Sequence, residues 1–184
     1  MDFSKLVMDR RTVHSYRQEA VSESDVMEAL KLSLWSMNHK LTFPWVYLSV
    51  GPLARQKIAE LAVKLKSTKE PLNEVKTKAT RDSVLNPSHF ISLGLRLSGN
   101  SAQEHEDYAT LAASVQIAAL LLWQKGVGTK WSTGGMTKHP ETYEILGLNP
   151  SEIRLEGALM IGIPAAVPAA PERPNLERVF RKTT

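Results

Sequence analysis

The chain has 184 residues, 42% of them apolar, a length that suits one domain over 1–184 burying about two thirds of its unfolded surface. Cysteine is absent, which excludes disulfides, thiolate metal sites and cysteine nucleophiles, and no window approaches ~18 uninterrupted apolar residues, so no membrane contact is expected. The net charge of +4 comes from 23 basic and 19 acidic residues mixed along the chain; without a helix-turn-helix or aromatic-glycine signature it does not indicate nucleic acid, and it suits phosphorylated small molecules.

The start, Met1-Asp2-Phe3-Ser4-Lys5, has no basic lead followed by an apolar core, so the expected location is cytoplasmic. Phe3, Leu6 and Val7 share one face of a short predicted helix, which runs into Arg10-Arg11-Thr12-Val13-His14-Ser15-Tyr16-Arg17. Two guanidinium forks beside a hydroxyl are the donor set that a phosphate monoester needs, although a terminal charge run is more often a solvated face. Ser22-Glu23-Ser24-Asp25 supplies caps for a helix with apolar positions Val26, Ala29, Leu30, Leu34 and Met37. Pro44 to Val50 is β-branched and aromatic and ends at Gly51, so a strand. Pro52 opens the next helix, with Ala54, Ile58, Leu61, Ala62 and Leu65 as its buried stripe. Lys66 to Asn86 is polar and lysine-rich and reads as a mobile connection or lid.

Ile91, Leu93, Leu95 and Leu97 alternate with Ser92, Gly94, Arg96 and Ser98, the period of a strand covered on one side. The longest predicted helix spans Ser101 to Lys125 and ends at Gly126. From Leu111 to Trp123 it is apolar on nearly every face, which requires burial all round, in the domain centre or against another subunit. Thr129 to Ser132 and Leu155 to Ile163 are further strands, with a helix at Glu141 to Leu146 between them. Helices and strands do not alternate regularly, so the class is α+β. The tail from Pro164 is extended and cannot bury its own Leu176, Val179 and Phe180.

No GxSxG elbow, HExxH zinc helix, Walker loop or post-strand GxGxxG is present, and His14, His39, His89, His105 and His139 are too scattered to define a metal site. A phosphate cluster without side-chain catalysts suggests that a bound cofactor carries the chemistry. Arg-Arg-Thr-x-His-x-Tyr after a short helix, Asn38-His39-Lys40-x-x-x-Pro44-Trp45, and a long apolar helix closing in Gly126-Val127-Gly128-Thr129-Lys130-Trp131-Ser132-Thr133-Gly134 follow in that order. Leu159 to Pro164 and an Arg-Pro tail complete the set. The sequence resembles the FMN-dependent nitroreductase family, in particular its short bacterial branch, over residues 3 to about 180.

The resemblance implies a mostly antiparallel sheet flanked by helices and a homodimer with two FMN molecules at its interface. It also implies a C-terminal tail exchanged between subunits, bringing Arg173 to the partner's flavin. NADH or NADPH would reduce FMN, and nitroaromatics, quinones or related acceptors would reoxidise it by a ping-pong route, with no catalytic side chain and no metal. By position, Arg10, Arg11 and Thr12 match the phosphate and ribityl contacts, His39 a flavin-contacting residue, and Arg173 a tail arginine that reaches the phosphate. Lys130, Trp131, Ser132, Thr133 and Gly134 match the loop whose backbone N–H groups face the ring; Trp131 itself suits either the flavin edge or the core. The chain departs from the pattern at His14 (usually a second cation), Phe43 (usually glutamine) and Trp35 (usually arginine). His14 beside the phosphate would make FMN affinity pH-dependent. Two other readings stay open: the same flavin site used for dehalogenation, azoline oxidation or flavin breakdown, and a flavin-binding protein without turnover.

Overall fold

The computed structural model describes residues 2–183. Its centre is a four-stranded sheet of β1 (Trp45–Ser49), β2 (His89–Arg96), β3 (Gly128–Ser132) and β4 (Ile153–Gly162) in the order β1-β2-β4-β3, antiparallel throughout. Six helices surround it: α1 (Phe3–Asp9), α2 (Glu23–Ser33), α3 (Pro52–Ser67), α4 (Glu74–Leu85), α5 (Ser101–Gln124) and α6 (Pro140–Leu146). The α+β expectation and the antiparallel sheet flanked by helices are both observed.

Strand periodicity divides the core between the two sheet faces. Ile91, Leu93 and Leu95 of β2 and Leu159 and Ile161 of β4 point to α2 and α5, where they meet Val26, Leu30, Leu111, Val115, Ala118 and Leu122. Phe90, Ala158 and Met160 point the other way, to Ile58, Ala59 and Ala62 of α3 and Val84 of α4. The expectation that β2 is covered on one side is therefore corrected. Ser92 and Gly94 are small enough for the second layer to close over them, and both are buried.

Three further expectations are corrected, and that for α5 is refined. Lys66 to Asn86 is not a mobile lid: α3 runs to Ser67, and α4 packs on α3 through buried Val84 and a two-pronged Arg81–Glu60 pair at 2.6 and 2.8 Å. The Asn73 side chain caps α4 at Lys76 N, a start signal hidden by the lysine-rich composition. Helix α2 stops at Ser33, whose hydroxyl donates back to Leu30 O, leaving Leu34 and Met37 exposed. In α1 only Leu6 is buried, while Phe3 and Val7 face solvent. In α5, Leu111, Ser114, Val115, Ala118, Ala119 and Leu122 form one buried stripe; Ile117, Leu120, Leu121 and Trp123 are only half-buried within one chain.

Two glycines permit the close approaches that build the site. A Cβ on Gly128 would lie 2.5 Å from Val13 Cγ2, so only glycine lets the segment after α1 lie against β3. Gly157 sits at φ 136° beside a register shift in the β2–β4 pairing, and a Cβ there would lie 2.4 Å from Ser132 O and 2.7 Å from Trp131 Nε1. Trp131 can lie across β4 only because that side chain is missing.

Candidate functional site

Helix α1 ends at Asp9, and the chain beyond it is held to the open edge of β3. Thr12 bridges Thr129, and Val13 N donates to Thr129 O at 3.0 Å. Val13 is fully buried, so period two turns its neighbour Thr12 outward. Tyr16 pins the segment: its hydroxyl donates to Val13 O at 2.9 Å, with Met160 O at 3.2 Å also in reach. Burial pushes the Tyr16 phenol well above its ordinary range.

Around this anchored segment lie two adjoining cavities. One of about 200 Å3 is lined by Arg10, Thr12, Val115, Gln116, Thr129 and Trp131. The other, about 580 Å3, is bounded by Arg10, Arg11, Gln116, Ala170, Pro171 and Arg173. Arg10 and Gln116 belong to both. Among the described residues Arg10, Arg11 and Arg173 have no carboxylate partner. Burial first, then the charges of Arg11 and Arg173, pull the Arg10 guanidinium below its ordinary value. A cationic cluster in that condition favours an anion.

Arg11 does a second job. Its Nη1 donates to Met8 O at 2.5 Å and Arg10 O at 2.8 Å, satisfying carbonyls at the end of α1, while its buried Nε has no partner. The unmatched N–H and the unpaired guanidinium of Arg10 are donors of the kind a phosphate accepts.

The structure brings together Arg10, Arg11, Thr12, Trp131 and Arg173 and separates the others. Trp131 is half-buried, donates Nε1 to Glu156 O at 3.2 Å and lies 6.2 Å from the Tyr108 ring. Lys130 and Ser132 alternate with Thr129 and Trp131, so their side chains take the other sheet face, toward Met160 and Ala158. Thr133 and Gly134 are exposed beyond β3, and Gly134 borders a different cleft, between α3 and α4. His14 is exposed and lines neither cavity beside Arg10. His39 is exposed on a 3-10 turn, with Nδ1 3.0 Å from Glu106 Oε2. Glu106 precedes Gln116 by about 15 Å along α5, so His39 is remote from its own chain's Arg10.

Within one chain Arg173 borders the same cavity as Arg10 and Arg11, because the tail pairs with Ser15 and Tyr16 before passing it. Sequence reasoning missed Gln116 and Thr129. Gln116 was detectable as a polar interruption in the apolar run of α5, while Thr129 enters only through the bridge to Thr12.

The site is an arginine-lined cavity at the edge of an antiparallel sheet, walled by α5, β3 and the segment that follows α1. The sequence pattern of the Nitroreductase family matches residues 7–163, and the chain belongs to that family. It is 24% identical over 177 residues to a Bacillus subtilis (strain 168) protein named as an NAD(P)H nitroreductase, YfhC, covering 95% of this chain and 91% of the relative. The crystal structure of a nitroreductase-like family protein from Bacillus cereus superposes with a TM-score of 0.86 at 24% identity, covering 100% of this chain and 96% of the other. A Desulfovibrio desulfuricans nitroreductase structure in complex with FMN gives a TM-score of 0.77 at 20% identity, with 98% and 96% covered.

Proposed function

We propose that the chain is an FMN-dependent oxidoreductase that passes hydride from NADH or NADPH to nitroaromatic, quinone or related acceptors by a ping-pong route. The observation that carries this reading is the convergence of Arg10, Arg11 and Arg173 on adjoining cavities without a balancing carboxylate among the described residues. The name of the Bacillus subtilis relative supports the reductant, and the FMN-bound Desulfovibrio structure supports the cofactor.

FMN, when bound, supplies the two-electron carrier that the surrounding side chains lack. Arg10 and Arg173 hold its phosphate as cationic forks, and Thr12 adds a hydroxyl donor. The backbone of Trp131 shares the outer edge of β3 with Thr129, whose carbonyl already faces outward, so N–H donors of that edge are available to a flavin ring. Val115, Ala119 and Leu159 give the smaller cavity a water-excluding wall.

The protein works as a homodimer in this reading. Trp35, Met37, Leu41 and Phe43 are at least 61% exposed, a density of large apolar groups that calls for a partner. His39 and Phe43 then approach the partner's FMN. The groove of about 700 Å3 between α2 and edge strand β1, lined by apolar Val26, Met27, Leu30, Leu34 and Ile91, takes the partner's tail with its exposed Leu176, Val179 and Phe180. No helix among the described residues is long and apolar enough to cross a membrane, and the reading places the enzyme in the cytoplasm. The whole chain acts as one FMN-binding domain.

The test is spectroscopic. Purified protein is expected to show flavin absorbance, to bleach on adding NADH or NADPH without oxygen, and to recover its colour with a nitroaromatic. Protein that takes up no added FMN overturns the assignment, and uptake without bleaching supports a binding role instead.

A further inference from the structure

Residues 38–43 hold an unusual backbone. Lys40, Leu41 and Phe43 all have positive φ, at 60°, 52° and 47°, and none is glycine. Left-handed geometry at three bulky residues persists only where surrounding contacts over-determine it. Those contacts form one chain of hydrogen bonds. Phe43 N donates to Asn38 Oδ1 at 2.8 Å, Asn38 Nδ2 donates to Thr42 Oγ1 at 2.9 Å, and Thr42 Oγ1 donates to Asp107 Oδ1 at 2.6 Å. Gln103 Nε2 also donates to Asp107 Oδ1, at 3.2 Å.

Asp107 lies on α5, is 2% exposed and has no Lys, Arg or His ion pair among the described residues. A carboxylate buried without a cation is costly, and here its visible partners are the loop hydroxyl and one amide. A loop that only joined α2 to β1 could use glycine and need no such anchor. The side chains it projects, His39, Lys40, Leu41 and Phe43, are all exposed.

We infer that Asp107, acting through Thr42 and Asn38, is a positioning residue for the flavin site: it locks the 38–43 loop in the shape that presents His39 and Phe43 to the partner's FMN. The inference rests on the proposed function, because the loop has no flavin to meet otherwise. Asp107 touches neither cofactor nor substrate. Its effect travels through the backbone of the loop, where a displacement of about 1 Å is enough for a large loss of function.

The experiment compares wild type, Thr42→Val, Thr42→Ser and Asp107→Asn by FMN fluorescence titration, visible circular dichroism of the bound flavin, and melting of the apoprotein. Thr42→Val is expected to raise the FMN Kd about tenfold and to change the flavin dichroism, whereas Asp107→Asn, whose Oδ1 still accepts from Thr42, is expected to change both by less. Thr42→Ser, which keeps the hydroxyl, is expected to stay within about twofold of wild type. A Thr42→Val protein with the wild-type Kd and dichroism overturns the role even if its melting point falls, since a merely structural anchor lowers only the latter. Equal losses in Thr42→Val and Thr42→Ser also overturn it. Wild-type protein that takes up no FMN overturns the proposed function and this role together, whereas normal wild-type uptake with unchanged variants overturns this role alone.

Discussion

At the scale of single residues, the site separates side chains that bind from side chains that hold. Arg10 borders both cavities and makes no ion pair among the described residues, so its charge is available to a ligand. Arg10→Ala is expected to weaken FMN binding by roughly 2–4 kcal/mol, the range for removing one member of a buried charge pair, with little change in apoprotein stability. Fluorescence titration alongside urea unfolding checks both halves. Arg11→Ala should behave differently, losing about 1–2 kcal/mol of stability because Met8 O and Arg10 O lose their donor. Tyr16 gives a pH test. Folded Tyr16 keeps its proton at pH values where an unfolded tyrosine, near 10.0, has lost it. Stability is therefore complete below about pH 10 and falls as pH rises above it. Tyr16→Phe should reduce that alkaline slope by one proton, and an unchanged slope in denaturant titrations at several pH values would show that Tyr16 is not the group. The clustering of Arg10, Arg11 and Thr12 was legible because the three are consecutive in the sequence, while the cavity that Arg10 and Thr12 line was not. The direction of each side chain along β3 was less so: alternation already separates Lys130 from Trp131, but only the pairing with Thr12 fixes which face meets the cavity.

At the scale of elements, apolar periodicity placed the helices and strands that carry large buried side chains and failed where burial is sparse. Leu111 of α5 is fully buried, and Leu111→Ala is expected to cost about 2–5 kcal/mol by leaving a cavity under β2 and β4. Helix α4 escaped detection because Val84 is its sole buried residue, and its Arg81–Glu60 pair and Asn73 cap leave no hydrophobic pattern. The bulge at Glu156–Gly157 escaped for another reason. A lone glycine in a strand signals close approach without saying what approaches, and only the folded sheet shows Trp131 there. Gly157→Ala should destabilise the protein by on the order of 3 kcal/mol, since both φ 136° and contact with Ser132 O oppose a Cβ. Because Trp131 must also move, flavin fluorescence should change in this variant at temperatures where it is still folded. A Gly157→Ala protein with wild-type unfolding and wild-type flavin spectra would remove the bulge from the account of the site.

For the whole molecule, the decisive quantity is the apolar surface one chain leaves uncovered. Trp35 and Met37 are 86% and 87% exposed, Leu176 and Val179 67% and 70%, and Ile117, Leu120 and Leu121 stay half-buried on α5. These groups lie on three separate stretches of sequence, so no local rearrangement covers them all. The proposed two-fold dimer would, with α5 near the axis, the 35–43 segment reaching toward the partner's Arg10 and residues 174–183 lying in the partner's α2–β1 groove. An interface of that extent should exceed ~2,000 Å2, large enough that folded monomer is scarce and melting depends on protein concentration. Light scattering at micromolar concentration is expected to give twice 20.5 kDa. Val179→Asp with Phe180→Asp should shift the population toward monomer, and FMN affinity should fall with it, because in the proposed dimer His39 and Phe43 would meet the cofactor only across the interface. Arg173 stays beside its own Arg10 in that variant, so the loss of affinity reports on the missing partner and not on the phosphate contacts. A stable 20.5 kDa species that still binds FMN as tightly as the parent would overturn the dimer, the tail contact and the shared site at once.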